Sequence, residues 1–188
     1  MERLFSHMIV GGILIFVDIW VGFDLLPDAF GWMLIATSFS AKVQQFSGAK
    51  QAKVLATVLA IVNLPFTIQD IALYVDTHMP TIIVYVGHLA VGILIVVFYY
   101  YFFLVAKQIA VLYGLEAVNG TKWMTYFLVG TQFILIWIQI VSPHIVQHGL
   151  EMVGTLFLVI ILLVYISFVG YLVKMYERCK KQPPEMNT

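Results

Sequence analysis

The sequence predicts an all-α membrane protein, a bundle of six transmembrane helices, and three observations lead to that fold class. Apolar residues make up 62% of the 188 residues and charged residues only 11%, against roughly 25% charged in an ordinary soluble domain. The apolar residues fall in six stretches near the length of about 20 residues that crosses a bilayer. Finally, all lysines and arginines fall at alternate connections between these stretches, so six crossings place them all on one side of the membrane. We therefore expect one transmembrane domain over residues 1–188.

The six predicted helices are separated by short polar connections and turns. They cover residues 6–24, 29–46, 53–73, 81–106, 122–142 and 150–174, and residues 175–188 form a short cytoplasmic tail. The third contains Pro65, which is tolerated in lipid because neighbouring helices satisfy the freed carbonyl. The apolar run after Arg3 also resembles a signal peptide. Asp18 interrupts that run and no small-residue cleavage site follows, so we expect the first helix to stay in the mature protein.

The basic residues predict the orientation of the bundle. They precede the first helix, lie between the second and third, flank the connection after the fourth and follow the sixth: Arg3, Lys42, Lys50, Lys53, Lys107, Lys122, Lys174, Arg178, Lys180 and Lys181. The connections near 25–28, 74–80 and 143–149 have none. Because cytoplasmic loops carry the excess of lysine and arginine, both termini are expected in the cytoplasm of a plasma-membrane protein. With a formal net charge of zero, nothing indicates nucleic acid.

Asp18 is the residue most suggestive of function. It follows Arg3 by 15 residues, which is about 22 Å along a helix and beyond the bilayer midplane. A carboxylate there costs roughly 2.5–3.5 kcal/mol, and no lysine or arginine is available at that depth. Gly11, Asp18 and Gly22 share one helical face, so this face should pack closely on other helices. Two interpretations stay open: a proton or cation site, and a structural hydrogen-bond anchor.

Further polar side chains fall in the outer half of the predicted helices. The third helix carries Asn63, Thr67 and Asp70 on one face with Ala56 and Ala60. The same group of polar residues includes His88 on the fourth helix and Gln132 and Gln139 on the fifth. We interpret these residues, together with Asp18, as a hydrated pocket that binds a cation or cationic solute. The alternative is an ordinary polar seam between helices, which asparagine and glutamine also form.

His144, His148 and Glu151 follow a spacing that would place them on one helical face, as a divalent metal requires. The pattern is no known catalytic signature, and interfacial histidines are common without metal, so we expect no cofactor and keep a divalent metal as an alternative. The aromatic run FYYYFF at 98–103 is expected to provide packing or lipid-facing bulk, with a ligand-stacking site as the alternative.

The segment FDLLPDAFGWMLI, residues 23–35, resembles a short motif of uncharacterised small multi-spanning bacterial membrane proteins, mostly Gram-positive. The resemblance covers 13 of 188 residues. It implies a bacterial cell membrane and carries over no activity and no catalytic residue.

Three functions are compatible with these patterns. The first is a membrane-embedded binding or transport unit for a small cation or cationic solute, with or without coupling to protons. The second is a non-transporting accessory, assembly, immunity or sensory subunit that binds a partner, either another membrane subunit or a second copy. The third is a metal-dependent intramembrane hydrolase. The lipid bilayer is the surrounding partner in all three, and an enzyme is the least favoured.

Overall fold

The computed structural model describes residues 2–16, 28–39, 43, 45–64, 81–113, 123, 126–131, 134 and 151–181. Within these residues the regular structure is helical, which confirms the all-α class for this part of the chain. The five helices are α1 (Glu2–Phe16), α2 (Asp28–Ser38), α3 (Ala49–Asn63), α4 (Thr81–Leu112) and α5 (Glu151–Lys181). Residues 126–131, within the predicted fifth helix, are also helical.

The second helix ends earlier than its predicted limit at residue 46, so that part of the prediction was wrong. Thr37 and Ser38 donate their hydroxyls to the carbonyls of Leu34 and Ile35, at 2.8 and 2.5 Å. Such local bonds compete with the backbone ladder of a helix. The chain then turns at residues 45–48, where Gly48 adopts a φ of +87° that suits glycine and starts α3.

Three helices are longer than predicted toward their basic ends. α3 begins at Ala49 rather than at 53, α4 continues to Leu112 rather than to 106, and α5 continues to Lys181 rather than to 174. Residues 175–181 of the predicted tail are therefore helical. The last turn of α5 carries Arg178, Lys180 and Lys181, which interact favourably with the negative end of the helix dipole.

Contacts between the helices define their order and direction. α1 packs on α2, α2 on α3, α3 on α4, and α5 on α1. α1 and α2 are antiparallel, because Gly11 meets Gly31 and Ile35 whereas Gly31 meets Ile15. α4 and α5 are parallel, because Tyr99 contacts Phe168 and Phe103 contacts Tyr171, which lies further along α5.

One end of the bundle therefore collects the start of α1, the end of α2, the start of α3 and the ends of α4 and α5. Ser47 is hydrogen-bonded to Gln108 at this end, and Cys179 interacts electrostatically with Glu2 and Tyr113. We call it the basic end, since the lysines and arginines of the described helices lie toward it: Arg3, Lys50, Lys53, Lys107, Lys174, Arg178, Lys180 and Lys181.

The longest apolar helix is α4. Among the described residues, one helical stretch, Leu89–Leu112, is long and apolar enough to cross a membrane, with a mean hydropathy of 2.5. A buried core helix of a soluble protein can be equally long and apolar. The stretch is weak support for a membrane location, and the crossing of the bilayer six times stays a prediction.

Candidate functional site

Most of the predicted binding residues lie outside the described residues: Asp18, Thr67, Asp70, Gln132, Gln139, His144 and His148. His88 belongs to α4 and Glu151 begins α5. The side chain of Asn63 is half-buried and donates its Nδ2 to the carbonyl of Leu59 at 2.8 Å. This bond holds the amide group against its own helix, so at least one of its donors is used within α3.

A layer of aromatic side chains fills the bundle between α2, α4 and α5. Trp32 meets Phe98 edge to face at 5.2 Å between ring centroids, and Phe168 meets Tyr99 in the same way at 5.8 Å. Phe102 is fully buried beside Phe98 and Phe168. We call Trp32, Phe98, Tyr99, Phe102, Phe103 and Phe168 the aromatic layer. The aromatic run at 98–103 thus provides packing, as predicted, with Tyr100 turned outward at 54% exposure.

The aromatic layer contains one polar contact that crosses between helices. The Tyr99 hydroxyl lies 3.4 Å from the hydroxyl of Tyr165 on α5. Either oxygen can be the donor, and the pair satisfies the phenol of Tyr99, which is 5% exposed. Buried tyrosine hydroxyls generally have such a partner.

The layer leaves almost no space for a solute. The cavity beside it, between Met8, Ile15, Trp32, Phe98 and Tyr165, has a volume of about 10 Å³. A single water needs roughly 10–15 Å³ and several polar partners. Since this cavity is lined mainly by apolar groups, it does not hold an ion or a polar solute.

Two larger concave surfaces lie on the outside of the bundle. A groove of about 350 Å³ separates α2 from α3, and its lining is apolar apart from Lys53 and two threonines. A second groove of about 260 Å³ lies between Phe127 and the residues Ile160, Leu163, Val164 and Ser167 of α5. Neither surface resembles the predicted cation site, because the described residues of both linings include no carboxylate and no amide side chain.

The basic end is fixed by a side-chain clamp. Gln108 of α4 donates to the carbonyl of Ser47 at 3.0 Å and accepts from the Ser47 amide at 3.1 Å. Its Nε2 also lies 3.1 Å from the carbonyl of Leu104. Gly48 packs beside Tyr101, where a Cβ would lie 3.2 Å from the ring. The turn between α2 and α3 is therefore held against α4.

Burial changes the acidity of two groups at the basic end. Cys179 is 4% exposed, and burial raises the pKa of its thiol to about 11. Burial also raises the pKa of Tyr113, with a further contribution from Cys179. Both groups are neutral at pH 7, and burial outweighs the opposing effect of the N-terminal amine on the thiol, which is therefore a poor nucleophile.

Metal ligation has no candidate in the described part of the chain: no three His, Cys, Asp or Glu side chains there lie close enough to hold an ion. The predicted ligands His144 and His148 lie outside it. Comparison with known protein families, curated proteins and solved structures found no match.

Sequence reasoning missed the α2–α3 groove and the Gln108 clamp. Small residues on both helices, Ala29, Ala36 and Ala60, were a signal for the groove, because small side chains leave concave surfaces between helices. The clamp had no such signal, since a glutamine near a predicted membrane boundary is equally compatible with exposure to water.

Proposed function

We propose that the protein is a six-span membrane protein that binds a small cation or cationic solute in its outer half and moves it across the bilayer. The observation that carries this proposal is the aromatic layer, which is closely packed among the described residues and has a cavity of only about 10 Å³ beside it. We therefore place the solute site in the outer half, where the sequence predicts Asp18 and the polar residues of the third, fourth and fifth helices.

The direction of the helices supports six crossings. α4 and α5 are parallel, so the chain between residues 113 and 151 must return to the opposite end before α5 begins. The predicted helix at 122–142 supplies that return. α5 adds a run without a charged residue from 152 to 173, which is long enough for a crossing. The positive-inside rule then assigns the basic end to the cytoplasm.

The packing of Gly11 supports a role for Asp18 at a helix interface. A Cβ on Gly11 would lie 2.7 Å from the carbonyl oxygen of Gly31, so the two backbones are in contact. In the first helix as predicted over residues 6–24, Asp18 follows Gly11 by seven residues, two turns along the same face. A carboxyl group on that face has no lysine or arginine at its depth and needs a proton, a hydrogen bond or a bound cation.

Substitution of Asp18 tests the proposal. In proteoliposomes, Asp18→Asn should fold, melt close to the unsubstituted protein and lose uptake of the cation. The screen begins with small mono- and divalent cations and cationic amines. Glu177→Gln, an exposed acid at the basic end, is the matched control and should transport normally. An Asp18→Asn variant with full uptake would leave Asp18 as a structural anchor and reject the transport role.

An accessory subunit is the second candidate, and the groove between Phe127 and α5 favours it, because an exposed apolar concavity can receive a helix of a partner. Copurification from native membranes discriminates: a stoichiometric partner protein supports this function. A metal-dependent hydrolase remains third. Measurement of zinc in the purified protein tests it, since the His144→Ala and His148→Ala double variant should then lose the metal.

A further inference from the structure

The groove between α2 and α3 is mostly apolar and has Lys53 at one end. We propose that it binds one acyl chain of an anionic phospholipid, with the headgroup phosphate at Lys53. The proposal rests on the membrane orientation proposed above but is independent of cation transport. It assigns the groove to the leaflet on the basic side of the membrane.

The lining offers little to a polar ligand. Thr57 donates its hydroxyl to the carbonyl of Lys53 at 2.9 Å, and Thr37 donates to Leu34 at 2.8 Å, so both hydroxyl protons are used within their own helices. Small side chains and large exposed ones form the rest of the surface: Ala29, Phe30, Met33, Ala36, Ala60, Ile61 and Leu64. A hydrocarbon chain bound in the groove therefore covers no hydroxyl that lacks a hydrogen-bond acceptor.

The length of the groove agrees with one leaflet. Lys53 and Leu64 lie 11 residues apart along α3, which corresponds to about 16 Å of helix. The hydrocarbon core of a bilayer is about 30 Å thick, so one leaflet contributes about 15 Å. The volume of about 350 Å³ also exceeds the roughly 150 Å³ of an apolar cavity that holds benzene. The length of the groove therefore suits a single extended acyl chain.

The charge at the basic end selects an anionic headgroup. Lys53 and Lys50 are exposed one helical turn apart, and none of the described residues that line the groove is acidic. Basic pockets between transmembrane helices on the cytoplasmic side bind anionic lipid headgroups. A partner helix in the same place would cover Lys53 with apolar surface and leave its charge without compensation, which is costly. The lysine therefore favours a lipid over a helix.

Native mass spectrometry of the full chain can test the site with two lipids of identical acyl chains, phosphatidylglycerol and phosphatidylcholine. The unsubstituted protein should retain phosphatidylglycerol about fivefold better, which corresponds to about 1 kcal/mol for one lysine near a membrane surface. Lys53→Gln should remove this preference. Thr57→Phe, which puts a ring into the groove from an exposed position, should lower retention of both lipids.

Two matched controls separate the groove from the general surface. Lys174→Gln removes an exposed lysine at the basic end, on α5 and away from the groove lining. Val54→Phe adds a ring at a residue of α3 that is 54% exposed and does not line the groove. Both should retain lipid like the unsubstituted protein. Melting curves confirm that each variant is folded.

Three results would overturn the lipid site. Equal losses of the preference for phosphatidylglycerol in Lys53→Gln and Lys174→Gln would show that the lipid is attracted to surface charge in general and not to this groove. Unchanged retention in Thr57→Phe would show that the chain lies elsewhere. Conversion to a dimer on lipid removal, reversed by Thr57→Phe, would assign the groove to a second copy. Normal cation uptake beside any of these results leaves the transport proposal standing. A basic end that faces outward would reject the orientation on which the lipid site rests.

Discussion

Two helix pairs in this bundle pack by opposite means. α1 and α2 meet through glycine, and their backbones touch where Gly11 and Gly31 face one another. α4 and α5 meet through rings, with Tyr99, Phe103 and Phe168 interleaved at centroid distances of 5.8 to 6.4 Å. Glycine lets the backbones of α1 and α2 approach closely, whereas the aromatic rings fill the space between α4 and α5. Small residues suit interfaces in lipid because they let backbones approach, whereas aromatic layers exclude water from a cross-section.

Because of this difference, the two helix pairs should tolerate different substitutions. A glycine contact fails when any side chain is added, because the obstacle is a carbonyl oxygen that cannot rotate away. An aromatic contact fails when volume is removed, because the remaining rings relax only partly into the cavity. Substitutions that add volume to one pair and remove it from the other therefore test whether the contacts are as described.

The largest effect is expected for Gly31→Leu. A Cβ at this position would lie 2.6 Å from Ile15 and 2.7 Å from the carbonyl oxygen of Gly11. We expect a loss of more than about 4 kcal/mol, enough to prevent accumulation of folded protein. Gly12→Ala is the control, since its Cβ would meet nothing within 4 Å. Expression level and melting temperature measure both, and a folded, stable Gly31→Leu variant would disprove the backbone contact.

A smaller loss is expected for Phe98→Ala. Phe98 is fully buried between Trp32 and Phe102, so truncation leaves a cavity and should cost about 3–5 kcal/mol. Tyr100→Ala, at a neighbouring residue that is 54% exposed, should change stability much less. Unfolding curves in detergent compare the two. Equal losses at both positions would show that the aromatic layer is not the core of the bundle.

A modest effect is expected at the tyrosine pair. Tyr99→Phe removes one hydroxyl of the 3.4 Å contact with Tyr165 and should cost about 0.5–1.5 kcal/mol. Because Tyr165 has other interactions, a double-mutant cycle with Tyr165→Phe isolates the coupling between the two. A coupling energy of zero would mean that the hydroxyls do not bond across α4 and α5.

The smallest effect concerns Cys179. Burial raises the pKa of its thiol to about 11 in the folded protein, so the neutral form is favoured by folding. That contribution is complete below the ordinary pKa of about 9 and is lost as the pH rises toward 11. Alkylation by iodoacetamide should be slow at pH 8 and reach half its maximal rate near pH 11. Cysteine at exposed position 181, placed by Lys181→Cys with Cys179→Ser, should react rapidly at pH 8.

The sequence predicted features that depend on one helix at a time. The close packing of the Gly11 face followed from its spacing, and the packing of residues 98–103 followed from their bulk. Features that depend on two helices were not predictable. The parallel contact of α4 with α5 and the clamp between Gln108 and Ser47 join residues more than 60 positions apart. The early end of α2 was also missed, because the sequence does not show that the hydroxyls of Thr37 and Ser38 bond to carbonyls of their own helix.

The candidate cation site was predicted from single residues, and most of them lie outside the described part of the chain. Asn63 shows why such predictions are weak: an amide on the expected face bonds to its own helix at 2.8 Å. Side chains that can satisfy themselves locally carry little information about a ligand. Asp18 is the stronger candidate, since a carboxylate has no donor with which to satisfy the carbonyls of its own helix.

Cysteine accessibility tests the central claim, a six-span bundle with its basic end in the cytoplasm. The background is Cys179→Ala, and single cysteines replace Leu26, Thr77 and Val146 on the predicted outside, or Gln45 and Val118 on the inside. Gln45 is chosen because it is exposed in the turn, whereas Gly48 needs a positive φ. An impermeant maleimide should label the first three in intact cells and the other two only after permeabilisation. Labelling of Gln45→Cys or Val118→Cys in intact cells would contradict the topology.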